Sequence, residues 1–163
     1  MLSMIAMKMR ETMQHLDAAD RRLLGELQHD AARSAEELAE HVGLSPSAVR
    51  RRLNRLRTSG AIRGEVALVD PALAGIEIIV AVSMRDEDKQ VYDRLKRRLG
   101  AAPEVSQCYS VTGEVDLILH VHMRDMAHYE DWIDTNILAE NAVRRCTSHV
   151  VYSRIKYSTA IPL

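Results

Sequence analysis

GLSPSAVRRRLNRLRTSG, residues 43–60, places Arg50, Arg51, Arg52, Arg55 and Arg57 within eight positions and no acid among them. The 163-residue chain as a whole carries a formal net charge of -1, so this positive charge is a local feature. The stretch predicts a helix with a defined start and stop. Gly43 permits a sharp turn, Ser45 is placed to cap, and Pro46 takes the first helical position, where a missing N–H costs nothing. Val49, Leu53 and Leu56 fall at i, i+4 and i+7 and form one apolar face, and the helix runs to about Ser59 and stops at Gly60. That stripe leaves Ser47, Arg50, Arg51, Asn54, Arg55 and Thr58 pointing outward, with Arg52 and Arg57 flanking it.

Working back toward the amino end, SAEELAEHV (34–42) reads as a shorter helix. Ser34 and Glu37 have capping-box spacing, and Leu38 and Val42 give its buried stripe. DAADRRLLGELQH (17–29) predicts a helix before it, capped by Asp17 and packed through Leu23, Leu24 and Leu27. Three short helices with a tight glycine turn between the second and third are the pattern of a helix-turn-helix. AIRGEVALVD (61–70) alternates enough to predict a strand pair or a wing. DPALAG (70–75) is the expected linker, because Pro and Gly punctuate it and the apolar period changes across it. Residues 1–13, with five of the eight methionines and no uninterrupted apolar run, read as a frayed extension.

Beyond the linker the period shortens. IEIIVAVSM (76–84) puts Ile76, Ile78, Val80, Val82 and Met84 on one face of a strand. EDKQVYDRLKRRLGA (87–101) is an amphipathic helix on Val91, Leu95 and Leu99. EVSQCYSVT (104–112) and EVDLILHVHM (114–123) predict a hairpin closed by a very short loop at Gly113. DMAHYEDWIDTNIL (125–138) predicts a helix capped by Asp125, and RCTSHVVYSRIKY (145–157) a long last strand. The order is β-α-β-β-α-β, a ferredoxin-like unit with an antiparallel sheet, helices on one face, and the other face open to a partner sheet. The fold class is therefore α+β. Its expected divisions are an extension (1–13), a winged helix-turn-helix with linker strand (14–69), and a ferredoxin-like domain (70–163).

Two readings compete for the arginines. A charge run is commonly a solvated face. Here it lies on the third helix of a helix-turn-helix, with no acid at i±4 inside the helix to pair with. Arginine, unlike lysine, offers planar two-point contact to phosphate or a guanine edge. Ser45 and Ser47 add hydroxyl groups beside the free N–H groups of the helix start. The expected partner is double-stranded DNA.

The run LDAADRRLLGELQHDAARSAEELAEHVGLSPSAVRRRLNRLRTSGAIRGEVALVDP resembles the amino-terminal half of the Lrp/AsnC transcription regulators. SVTGEVDLILHV followed by MRDMAHYEDWI resembles the effector-binding half of the same family. The likeness spans about residues 16–160, and two independent segments agree in order and spacing. It implies DNA binding through Ser45, Ser47, Arg51, Arg52 and Arg55, to which the exposed Arg50 is added from the helix geometry. It implies a homodimer through the ferredoxin-like domains, assembling to tetramers or octamers. It also implies a small effector, usually an amino acid, held near the hairpin formed by Val111, Thr112, Gly113, Glu114 and Asp116. On chemical grounds Gly113 allows close backbone approach, turn N–H groups suit a carboxylate, and Glu114 or Asp116 suits an ammonium group. The plainer alternative is a hairpin turn with a surface acid. An architectural, nucleoid-associated DNA binder without effector, and a regulator acting only through hetero-assembly, are the other functional readings.

Remaining signals point to little chemistry. There is no nucleophile elbow, P-loop or dinucleotide fingerprint, so no enzyme, cofactor or metal is expected. His120, His122 and His149 read as polar residues on a sheet face. Cys108 and Cys146 lie far apart and read as buried thiols of a cytoplasmic protein. No segment is long and apolar enough to span a membrane.

Overall fold

The computed structural model describes residues 16–85 and 89–163; the extension expected over 1–13 lies outside the described residues. The chain divides into two compact units. One ends at Ala67 and takes in Lys156–Leu163, residues expected in the carboxy-terminal half; the other is Leu68–Ile155.

The first unit holds α1 (Ala18–His29), α2 (Ala35–Val42) and α3 (Pro46–Thr58). Each start is set by local chemistry. Asp17 caps α1, accepting from the Asp20 N–H at 2.8 Å, while the Asp20 carboxylate accepts the Asp17 N–H in return at 3.2 Å. Ser34 and Glu37 make the same reciprocal pair at the start of α2. Between α2 and α3, Gly43 adopts φ +69°, a left-handed conformation that a side chain would strain. Ser45 then accepts from the Ala48 N–H at 3.3 Å, with Pro46 opening α3. Leu23, Leu38, Ala39, Val42, Val49 and Leu53 form the core, with Leu27 and Ile62 against it. Each fully buried Leu or Val contributes about 1.5–3 kcal/mol relative to exposure.

The expected strand pair or wing over 61–70 does not form. Residues 61–62 are bends and 63–70 lie in no strand, with no strand partner among the described residues, and Val66, Leu68 and Val69 are exposed. Alternation supplied the pattern, but the chain brings no second strand beside it. Residues 71–74 of the expected linker make a short 3₁₀ turn capped by Asp70.

The second unit holds β1 (Ile76–Met84), α4 (Lys89–Ala101), β2 (Val105–Ser110), β3 (Leu117–Met123), α5 (Met126–Ile133) and β4 (Val143–Val150). The described strands form one antiparallel sheet in the order β2-β3-β1-β4, the topology expected of the ferredoxin-like unit. One face packs Ile78, Val80, Val82, Leu117, Leu119, Val121 and Met123 against Leu95 and Leu99 of α4 and Tyr129, Trp132 and Ile133 of α5. α5, capped by Asp125, gives way to a turn of π-helix (Asp134–Leu138), so the helix expected to Leu138 changes its bonding at Asp134.

Two boundaries differ from expectation. β4 begins two residues early and ends at Val150, opposite Ile78 of β1, with one further bond from the Val151 N–H to the Glu77 carbonyl at 2.8 Å. The β2–β3 connection is longer than a tight turn: the ladder stops at Ser110 and Leu117, and the Val111 N–H donates to the Asp116 carbonyl at 3.1 Å. Among the described residues, no helix is long and apolar enough to cross a membrane.

Candidate nucleic-acid interface and effector loop

The apolar stripe of α3, Val49, Leu53 and Leu56, is buried and turns the arginines outward as the period requires. Their acid partners, invisible to an i±4 reading, come from other elements. Arg50 pairs with Glu36 at the start of α2. Arg52 donates to Asp17 at 2.6 Å and to Asp20 at 2.9 Å. Arg55 pairs with the other oxygen of Asp20, and Arg57 with Glu65 at 2.7 Å. Arg51 is exposed and has no acid partner among the described residues.

These pairs are not equivalent. Arg50–Glu36 and Arg57–Glu65 are exposed and worth about 0–1 kcal/mol each. Asp20 is fully buried, so Arg52 and Arg55 answer to a carboxylate that water does not reach. The Asp20 N–H and then Arg52 hold the Asp17 carboxyl below the usual carboxylate range, and Asp17 followed by Asp20 raises the Arg52 guanidinium. Ser45 and Ser47 sit together at the start of α3, hydroxyl oxygens 3.1 Å apart. Asp17 was legible only as a helix cap and Asp20 was not singled out; their pairing with the arginines needs the crossing of α1 and α3.

In the β2–β3 loop, Thr112, Gly113 and Glu114 are exposed and Val111 is half-buried. Gly113 has φ +118°, accessible to glycine and strained for other residues. The loop is moored at its base. Asp116 accepts the Met84 N–H through its carboxylate at 2.8 Å, and its own N–H donates to the Val82 carbonyl at 2.9 Å. The Tyr92 hydroxyl reaches the Asp116 carbonyl at 3.3 Å, and the Ser83 hydroxyl donates to the Glu114 carbonyl at 2.9 Å. Ser83, 3% exposed, was missed in the sequence; its signal was a lone hydroxyl near the end of an apolar strand. Asp116 is thus an anchor of the loop rather than a loose surface acid.

The sheet face away from the helices carries Glu77, Ile79 and Ala81 of β1 opposite His122, His120 and Ile118 of β3, with His149 of β4 opposite Ile79. Glu77 pairs with both His120 and Arg154, and the His120 and His122 rings stand 5.2 Å apart. Burial opposes ionisation of Glu77, but Arg154 and His120 together hold its carboxyl low. No three His, Cys, Asp or Glu among the described residues converge as a metal site. Burial pushes the Cys146 thiol up to about 11 and raises Cys108 as well, away from a reactive thiolate. Cys108, expected buried, is exposed because β2 is an edge strand.

Residues 77–161 match the Lrp/AsnC ligand binding domain, and residues 16–57 match the AsnC-type helix-turn-helix domain. The HTH-type transcriptional regulator y4tD of Sinorhizobium fredii is 38% identical over 150 residues, covering 91% of this chain and 89% of that protein. A leucine-responsive regulatory protein of Haemophilus influenzae is 31% identical, covering 91% and 90%. A transcriptional regulator of Neisseria meningitidis, solved in complex with L-Met, superposes with a TM-score of 0.84 at 32% identity, covering 90% of this chain and 96% of that one.

Proposed function

The chain belongs to the Lrp/AsnC family of transcriptional regulators, and on that premise we propose that it binds DNA sequence-specifically and that an α-amino acid tunes its occupancy or assembly. The observation that carries the reading is the outward face of α3. It presents Arg51 without an acid partner among the described residues, Arg50 in a labile pair, and Ser45 and Ser47 at the helix start. Arg51 reads a base edge, while Arg50 and the two hydroxyls hold phosphate. Arg52 and Arg55 belong to the same interface through their hold on α1.

The effector reading rests on the loop from Val111 to Asp116. Exposed backbone at Thr112 and Gly113 suits a carboxylate, and Glu114 suits an ammonium group. Asp116, already engaged with Met84, shapes the loop and offers its second oxygen. The L-Met complex of the Neisseria relative supports an amino acid as the chemical class.

Assembly through the open sheet face completes the proposal. Ile79 and Tyr109 are exposed there, and the stretch bearing the exposed Val66, Leu68 and Val69 has no strand partner among the described residues. A second copy supplies both. A ligand that prefers one assembly over another then shifts DNA occupancy by that difference in affinity.

The test is titration of the purified protein onto duplex DNA from upstream of its own gene, against a scrambled duplex, with and without pooled amino acids. Preference for the native duplex that shifts with the pool is expected. Equal binding to both, indifferent to the pool, replaces this reading with an architectural DNA binder.

A further inference from the structure

Asp20 is the one fully buried acid among the described residues, and both of its oxygens are occupied. One accepts Arg52 at 2.9 Å; the other accepts the Asp17 N–H at 3.2 Å and Arg55. Asp17 completes the group through its own bond to Arg52 at 2.6 Å. Two acids from the start of α1 thus neutralise two arginines of α3. The side chain of Arg52 is only 23% exposed and that of Arg55 52%.

The pairing bears on DNA more than on packing. The helices already share an apolar core through Leu23, Val49 and Leu53, and a buried ion pair is commonly no more stabilising than apolar side chains of the same volume. Its electrostatic consequence is larger. An arginine that pairs with phosphate adds affinity for any duplex, whatever its sequence. Specificity is the ratio of site binding to that background. Drawing Arg52 and Arg55 back to a buried carboxylate lowers the background and leaves Arg51, one helical position away, facing outward.

We propose that Asp20 is a positioning residue for DNA recognition: it withholds Arg52 and Arg55 from the phosphate backbone, so that α3 discriminates through Arg51. This rests on the reading of α3 as the DNA-contacting helix. Withdrawal is favoured by burial, because moving both arginines to phosphate leaves the buried Asp20 carboxylate with the Asp17 N–H alone.

The experiment measures affinity of the full chain for a scrambled duplex and for its own upstream duplex across a salt series. Asp20→Asn keeps an oxygen for the Asp17 N–H and removes the charge. The expected result is a scrambled-duplex salt slope steeper by about 0.9 for each arginine released, roughly eightfold tighter non-specific binding per arginine at about 0.1 M salt, and a lower ratio of upstream to scrambled binding. A variant with an intact melting transition and an unchanged or shallower slope overturns the proposal. Where Asp20→Asn does not fold, the triple variant Asp20→Asn, Arg52→Gln, Arg55→Gln removes the whole buried group. It is expected to keep the wild-type slope; a slope shallower by about 0.9 or more means the arginines were on phosphate all along. Wild-type protein that binds neither duplex overturns the reading of α3 as well, whereas wild-type binding with a failed slope prediction overturns only the role of Asp20.

Discussion

Arg51 and Arg52 are adjacent, yet their surroundings assign them different work. Arg51→Ala removes the proposed two-point base contact and is expected to weaken binding to the native site by about 1–3 kcal/mol, with less effect on a scrambled duplex; fluorescence anisotropy on both duplexes checks it. An equal loss on the two would identify Arg51 as a phosphate contact. His122 carries a prediction in pH. Burial, and after it the neighbouring His120, holds its imidazole below the ordinary 6.5. Above that value the ring is neutral folded and unfolded, and it adds no pH dependence. Below it the unfolded chain takes up a proton that the folded chain resists, so stability falls on the acid side. His122→Gln is therefore expected to flatten the loss of melting temperature between about pH 7 and pH 5. An identical acid-side slope in the variant would count against a depressed His122. At this scale the sequence was half legible. It showed which residues carry charge, but a partner 35 positions away, as Asp20 is to Arg55, is a product of helix crossing.

Element by element, legibility follows the range of the forces involved. The helix starts at Asp17, Ser34 and Ser45 were readable because a cap is made within three residues of itself. Ser34→Ala is expected to cost about 1 kcal/mol, seen as a lower urea midpoint at unchanged slope, since the hydroxyl that accepts the Glu37 N–H goes while the backbone N–H at position 34 still donates to the Glu37 carboxylate. A midpoint that does not move would mean that packing of Leu38 and Val42 alone holds α2. Strand ends were less legible. β4 ends at Val150, opposite Ile78, well short of the expected Tyr157, and the stretch after Ile62 alternates like a strand but lies beside no other strand among the described residues, because a ladder is a property of two segments. The β2–β3 loop shows the same dependence. Gly113 marked the turn, while its length was set by Asp116 anchoring to Val82 and Met84. Asp116→Ala strands the Met84 N–H and is expected to cost about 1–3 kcal/mol, lowering the melting temperature whether or not an amino acid is present. A variant as stable as wild type, altered only in ligand response, would return Asp116 to the ligand itself.

For the whole molecule, the proposed assembly rests on the open sheet face. Its centre mixes Ile79, Ile118 and Tyr109 with histidines and the Glu77 group, a surface part apolar and part polar. Placing a charge at its centre, Ile79→Glu, is expected to shift the protein toward monomer in size-exclusion chromatography with light scattering. An unchanged mass would place the interface elsewhere. By itself the sequence determined the three-helix order, the β-α-β-β-α-β order, the two apolar faces and the face on which the arginines lie. Periodicity and capping act over three to seven residues, and each such signal is complete within its own segment. Only the tertiary structure decided which arginines are held by acids, where β4 ends, and how the β2–β3 loop is moored. Those outcomes depend on which distant backbone or carboxylate arrives alongside, and burial of Asp20 turns an ordinary cap residue into the partner of two arginines.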